Sequence, residues 1–412
     1  MSYFTQISLS DSANLDAFSR LRVSNPDQLF STQCQYNAAP IQMESGLTGA
    51  GTIPTHNANT RMVALTSTGV GTSFMQSYQY SPYAPGKSHF IAITGVLGTG
   101  VAGATADFGY FDSLNGVIFR QNGATNLQFI LRTATSGAAS DANIVAQSAW
   151  NIDKMDGTGV SGITFDATKA FILVIDLQFL GMGRVRVGFD INGIIYYAHQ
   201  FLNANVLAVP YMQSATLPVG ILVTTTAGAK TAHFKCASVI SEGGSIENYG
   251  FRQTINDVTA TAGNGVHTSI FSIRPKTTFN GLPNRTLFLL ETLNILNLGS
   301  KAIHWHLLTN ATFTVAPTWA DIDATNSAFQ VGTGGTYTDG TGNRILSGYV
   351  ISGTGAGTGS AEQGVDHKVS LHHPIALNRA GAVTSLGTLS FVAAGNGGTS
   401  VINADINFTE IR

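Results

Sequence analysis

The sequence predicts an all-β protein: two consecutive antiparallel β-sandwiches behind a short N-terminal arm. Three observations lead there. Short runs rich in β-branched and aromatic residues recur along nearly the whole chain. Gly, Asn, Asp or Pro punctuate them about every ten residues, the spacing of sandwiches and barrels. A chain of 412 residues with 43% apolar content also has material for two cores.

Taken in order, residues 1–29 form the arm. Within it "SDSANLDAFSRLRVS" (10–24) predicts a short helix with Ser10 or Asp11 as its cap, and Leu15, Phe18, Leu21 and Val23 are too few to build a core alone. Residues 30–247 form the first sandwich, with strands expected at "MVALTS" (62–67), "SFMQSYQY" (73–80), "HFIAITGVL" (89–97), "GVIFRQ" (116–121), "LQFILRT" (127–133) and "AFILVIDLQFL" (170–180); a second short helix is expected near 201–206. The order "DFGYFDSLNGVIFRQ" (107–121), a connection holding Trp150, "ITFDATKAFILVIDLQFL" (163–180) and "IIYYAHQF" (194–201) is similar to lectin-type jelly rolls. Turn-rich "GGSIENYGFRQ" (243–253) marks the boundary, and "SGTGAGTGSAEQG" (352–364) reads as a flexible loop by composition. Residues 248–412 repeat the strand pattern, from "HTSIFSIRP" (267–275) and "AIHWHLLTN" (302–310) to "NADINFTEIR" (403–412), a second antiparallel sandwich.

The stretch "FLGMGRVRVGFDINGIIYYAH" (179–199) poses a choice between a phosphate-binding glycine loop and a sheet edge. Val185, Val187, Phe189 and Ile191 alternate with Arg184, Arg186, Gly188 and Asp190, and Asn192-Gly193 is the strongest short signal for a type I′ turn. A hairpin follows, with the arginines on its outer face, pairing with Asp190 or across a subunit boundary.

Composition limits function. Only 44 residues are charged (21 Lys and Arg, 23 Asp and Glu) and the net charge is -2, so no global field recruits nucleic acid or an anionic membrane. No apolar run reaches the length of a membrane-spanning helix, and the first residues lack the basic start and apolar run of a signal peptide. Cys34 and Cys236 read as reduced and buried. Few charges among many small neutral residues suit a chain that covers its surface with copies of itself.

Candidate chemistry is sparse. "GTGVSG" (157–162) matches a dinucleotide fingerprint but lacks its strand-before, helix-after context. "SPYAPGKS" (81–88) fails as a P-loop at Ser81. Asp153, Asp156 and Asp166 could face Ca²⁺, but their spacing is better read as Asx turns. His304 and His306, flanking Trp305, point to one face of a strand as a workable metal pair, and His372-His373 could approach them; sequence supplies neither a third ligand nor a second shell, so no metal is expected. Tyr78, Tyr80 and Tyr83 could stack on a sugar or simply pack a loop. No nucleophile elbow or acid/base carboxylate pair stands out, so neither enzymatic activity nor a cofactor is expected.

Four blocks, "AFSRLRVSNPDQLFSTQCQY" (17–36), 148–201, "FSIRPKTTFNG" (271–281) and "INADINFTEIR" (402–412), resemble a group of poorly characterised structural proteins of tailed bacteriophages and related viruses. The block 148–201 is the most specific. The resemblance implies a virion component, assembled in the host cytoplasm as a homo-oligomer, most simply a trimer. It would serve as capsid decoration or vertex protein, or as a neck or tail accessory, with capsid or neck and tail proteins as partners. The competing expectation is a carbohydrate- or host-receptor-binding module on the particle. Phe18, Arg20, Leu21 and Arg22 of the arm are the expected assembly contacts.

Overall fold

The period-two apolar pattern folds as strand in both halves of the chain. The computed structural model describes residues 14–23, 25–244, 250–352, 364–365 and 375–412. It divides into two units, Met1–Glu247 and Asn248–Arg412.

The first unit is one curled antiparallel sheet of 14 strands. Its path runs from Ile194–Phe201 through Val185–Ile191, Phe171–Leu177, Ser88–Val96, Lys230–Glu242, Met62–Ser77, Val219–Thr225, Ala104–Phe111, Gly116–Asn122 and Asn126–Thr133 to Ser140–Ala146. Rings from opposite ends of that path meet. Phe119 lies 5.0 Å from Phe189 and 5.7 Å from Phe171, and Phe129 lies 6.1 Å from Phe189. Strands so far apart in the sheet touch only because it folds back on itself, giving a two-layered, lectin-like jelly-roll sandwich. Phe108, Phe119, Phe129, Phe189 and Phe234 are fully buried there; each such side chain stabilises the fold by about 1.5–3 kcal/mol.

The second unit is also a sandwich. One layer pairs Phe251–Asn264, Ser400–Ile411 and Leu287–Asn297. The other pairs Thr318–Asp321, Phe329–Thr333, Thr268–Pro275, Leu389–Gly395, Ile303–Thr309 and Asn343–Val350. Phe329 of the second layer packs 5.3 Å from Phe288 and 5.9 Å from Phe408 of the first. A short parallel pairing of Gly263–Asn264 with Ala394–Gly395 joins the layers, a departure from the purely antiparallel expectation.

Three local expectations are corrected. Over the described part of 10–24 there is no helix: Leu15 bridges Leu21, and the Asp16 carboxylate accepts the backbone N–H of Phe18 (2.9 Å) and Arg20 (2.8 Å), closing a tight loop. The Asp side chain competes with the helical backbone bonds that the apolar spacing suggested. Residues 10–13 and 24 lie outside the described residues. Near 201–206, strand Ile194–Phe201 ends in turns with Asn205 at φ 59, not a helix. The runs at 62–67 and 73–80 are one strand, Met62–Ser77. Its Gly71 permits close approach of Met43–Gly51, since a Cβ there would stand 2.4 Å from the Thr48 carbonyl oxygen. The proposed loop 352–364 falls almost wholly outside the described residues.

The hairpin forms. Val185–Ile191 pairs with Ile194–Phe201, and Asn192 and Gly193 take φ of 57° and 83° as a type I′ turn needs. Asp190 accepts the Gly193 N–H, so it serves the turn rather than an arginine. The arginines are not on an open face. Arg186 is fully buried and donates to Asp176 (2.5 Å) and to the Leu15 carbonyl (2.6 Å); Arg184 donates to the Ala17 carbonyl at 3.2 Å. Alternation correctly separates the two faces, but residues 14–23 cover the second one.

Candidate functional site: a polar face on the first sandwich

Strands Ala104–Phe111, Gly116–Asn122 and Asn126–Thr133 send Phe108, Phe119 and Phe129 into the core, so intervening side chains take the opposite face. Register places Asp107 opposite Arg120 and Arg120 opposite Gln128, three polar side chains in one row. Arg120 grips Asp107 through Nε and Nη2, both at 2.7 Å, and reaches Asp141 at 3.4 Å. Arg132 holds the same Asp141 through two bonds of 2.7 and 2.9 Å and donates to the Asp112 carbonyl. Two bidentate pairs, linked by the contact from Arg120 to Asp141, form a rigid ladder.

An aromatic ring underlies one end. The Arg132 guanidinium stands 5.7 Å from the centroid of Phe111, which belongs to a small buried cluster with Ile118 and Ile130, separate from the main core. Gly220 makes room for that ring, because a Cβ there would lie 3.1 Å from two of its carbons. The arginine side chains are 16% and Asp141 24% exposed, so solvent reaches their edges. The Gln128 carbonyl Oε1, by contrast, is buried and has no hydrogen-bond partner among the described residues. Burial raises the Asp141 carboxyl, but hydrogen bonds and charge from Arg132 and Arg120 hold it below its ordinary range. It is an ionised acceptor, not a proton donor at neutral pH. The solvent-reaching edge of the face can bind neutral, hydroxyl-rich groups by donation from Arg120 and Arg132 and acceptance by Asp141.

Sequence reasoning passed over Asp107, Arg120, Gln128 and Arg132. Their signal was present: in "DFGYF", "VIFR" and "LQFILR" the polar residues occupy the strand phase opposite to the buried rings.

The expected assembly residues sit elsewhere in this unit. Arg22 binds Asp176 at 2.6 Å, pairs with Glu242, and lies over the Phe90 ring. Arg20 returns to Asp16 at 2.7 Å and donates to the Gly86 carbonyl. Phe18 is half-buried beneath the Arg20 guanidinium, 4.7 Å from its centroid, and Leu21 is exposed. Glu242 accepts from Ser88 at 2.9 Å; burial and the nearby Asp176 charge push its carboxyl up to about 7.

Other candidates resolve plainly. Asp153, Asp156 and Asp166 accept backbone N–H groups of Met155, Thr158 and Thr168, each two residues on, as Asx turns. Residues 157–162 lie in the turn between the bridged Asp156 and Thr164, with no helix after them. Tyr83 packs edge-on to His89 and Phe179, an internal role. Cys34 and Cys236 are free thiols; Cys34 is buried, but Cys236 only half-buried, a correction. Burial and the neighbouring Cys236 push the Cys34 thiol up to about 11. His304 and His306 share a face of Ile303–Thr309, while His372 and His373 lie outside the described residues.

No protein-family model matches the chain, and no curated protein sequence does. Among solved structures, it is similar to one described under endo-acting O-glycanases of the human gut microbiota (11% identity, TM-score 0.36, covering 52% of this chain and 99% of that one). It is also similar to the lectin from Bauhinia forficata in complex with GalNAc (10%, 0.30, 52% and 97%). The CBM2 module of Lactobacillus casei BL23 phage J-1 evolved Dit is a third (8%, 0.31, 53% and 98%).

Proposed function

We propose that this chain is a carbohydrate-binding component of a tailed-phage particle and that it is not an enzyme. The observation that carries the reading is the fixed Asp107–Arg120–Asp141–Arg132 ladder on the sandwich face away from the main core, where the edges of Arg120, Arg132 and Asp141 reach solvent. Sugars offer adjacent hydroxyls that both donate and accept, and a preorganised row of planar donors and ionised acceptors meets them at little entropic cost. Glycosidic cleavage needs a carboxyl raised enough to donate a proton, whereas Asp141 is lowered and Asp107 is doubly bonded to Arg120. The particle assignment rests on the four sequence blocks and on the charge deficit, which suits a surface covered by further copies. A glycan array probed with the full chain tests the binding: selective retention of one glycan class is expected, and an empty array refutes it. Antibody-labelled imaging of particles tests the placement.

A further inference from the structure

The second unit gathers three histidines, His304 and His306 two residues apart and His267 a further 37 residues before them in sequence. His304 and His306 lie on one face of Ile303–Thr309, opposite Ala394 and Val392 of the neighbouring strand. His267 precedes Thr268, which pairs with Ala393 on the other side of that same strand. The imidazoles therefore converge across a strand carrying the short Ala394 between them. Ring centroids are 5.2 Å apart for His267 and His304, 4.5 Å for His267 and His306, and 4.3 Å for His304 and His306.

We propose that His267, His304 and His306 form a three-histidine site for a divalent transition-metal ion of the zinc class. One ring nitrogen from each lies within 4.8 Å of the other two. Tetrahedral Zn–N bonds of about 2.0–2.1 Å would place ligand nitrogens about 3.3 Å apart, so small rotations of the rings close the site. Three further observations point to a ligand. His306 is 3% exposed, yet neither ring nitrogen has a hydrogen-bond partner among the described residues, and His267 Nε2 also has none. Buried polar atoms left so are costly and ask for an occupant. His267 Nδ1 meets Asp339 Oδ1 at 2.8 Å, the carboxylate–histidine pairing that orients metal ligands and leaves Nε2 to coordinate. Tyr349 stacks on His304 at 4.4 Å and 17°, fixing the third ring.

All-nitrogen ligation suits Zn²⁺, Ni²⁺, Cu²⁺ and Co²⁺ and discriminates against Mg²⁺ and Ca²⁺. Three protein ligands leave a fourth position for water or an incoming donor. Because Asp339 follows strand Thr336–Tyr337, the metal would tie that turn to the sheet through His267.

The test uses the full, untagged chain stripped with a chelator and titrated with Co²⁺ and Zn²⁺. One equivalent of Co²⁺ should develop the intense visible bands of a tetrahedral site and be displaced by Zn²⁺. Half-buried His304→Ala should abolish the spectrum while leaving the far-ultraviolet circular dichroism unchanged, and Asp339→Asn should weaken binding about 10- to 100-fold. No tetrahedral spectrum in the parent chain, or undiminished binding in folded His304→Ala, overturns the proposal.

Discussion

Replacing Arg186 by Met tests how the first sandwich holds residues 14–23. Arg186 and Asp176 are both fully buried and meet at 2.5 Å. Arg186 also donates to the Leu15 carbonyl and stacks 4.3 Å from the centroid of Tyr197. Removing one partner of a buried pair typically costs about 3–5 kcal/mol, because the other charge stays desolvated. Asp176 would keep Arg22 at 2.6 Å and the Tyr197 hydroxyl at 2.9 Å, which places the cost at the lower end, about 3 kcal/mol. Native-state hydrogen exchange suits a two-unit chain better than a global melt. Amides of Val185–Ile191 should exchange about 100-fold faster, while those of Asn343–Val350 in the second unit serve as an internal reference. Protease should also reach residues 14–23 sooner. Adding Asp176→Leu removes the stranded carboxylate but also takes an acceptor from Arg22 and Tyr197, so it should recover only part of the loss. A single-variant change below about fivefold, or no recovery in the double variant, would refute the reasoning.

Three further outcomes follow. Gly193→Val should cost about 1–3 kcal/mol purely through backbone strain, because φ is 83° and an added Cβ meets nothing within 4 Å; thermal denaturation checks it, and an unchanged midpoint contradicts it. The raised Glu242 carboxyl means the folded state holds an extra proton between its ordinary 4.5 and about 7. Stability should therefore fall by about 1–3 kcal/mol as pH rises through that window, and Glu242→Gln should flatten the slope in urea titrations; an identical slope in the variant contradicts it. With 44 charged residues in 412, self-association through neutral surface should resist salt, so light scattering should give one oligomer, a trimer on the present reading, at low and high ionic strength. A monomer at micromolar concentration contradicts it.

Strand phase was readable because alternation is local: the 184–199 hairpin needed only side-chain order and Asn192-Gly193. What covered each face was not. Nothing in Arg186 or in residues 14–23 reveals that the loop closed by Asp16 lies over the arginines, since that contact joins segments about 170 residues apart. The helix expected at 10–24 failed for a local reason, the Asp16 side chain taking the backbone donors that a helix would use. His304 and His306 were recognisable by their spacing of two; His267 became their neighbour only through the intervening strand Leu389–Gly395. The Arg120 and Arg132 ladder required strand register, which no periodicity specifies.

The most direct test of carbohydrate binding is calorimetry with the best glycan retained on an array, comparing the parent chain with Arg132→Lys and Arg120→Lys. Lysine keeps the charge but loses the two-point grip, on Asp141 at position 132 and on Asp107 at position 120. The account predicts at least a tenfold loss of affinity in each variant with the circular dichroism spectrum unchanged. Parent-like affinity in both folded variants would place sugar binding away from this face and contradict the central claim.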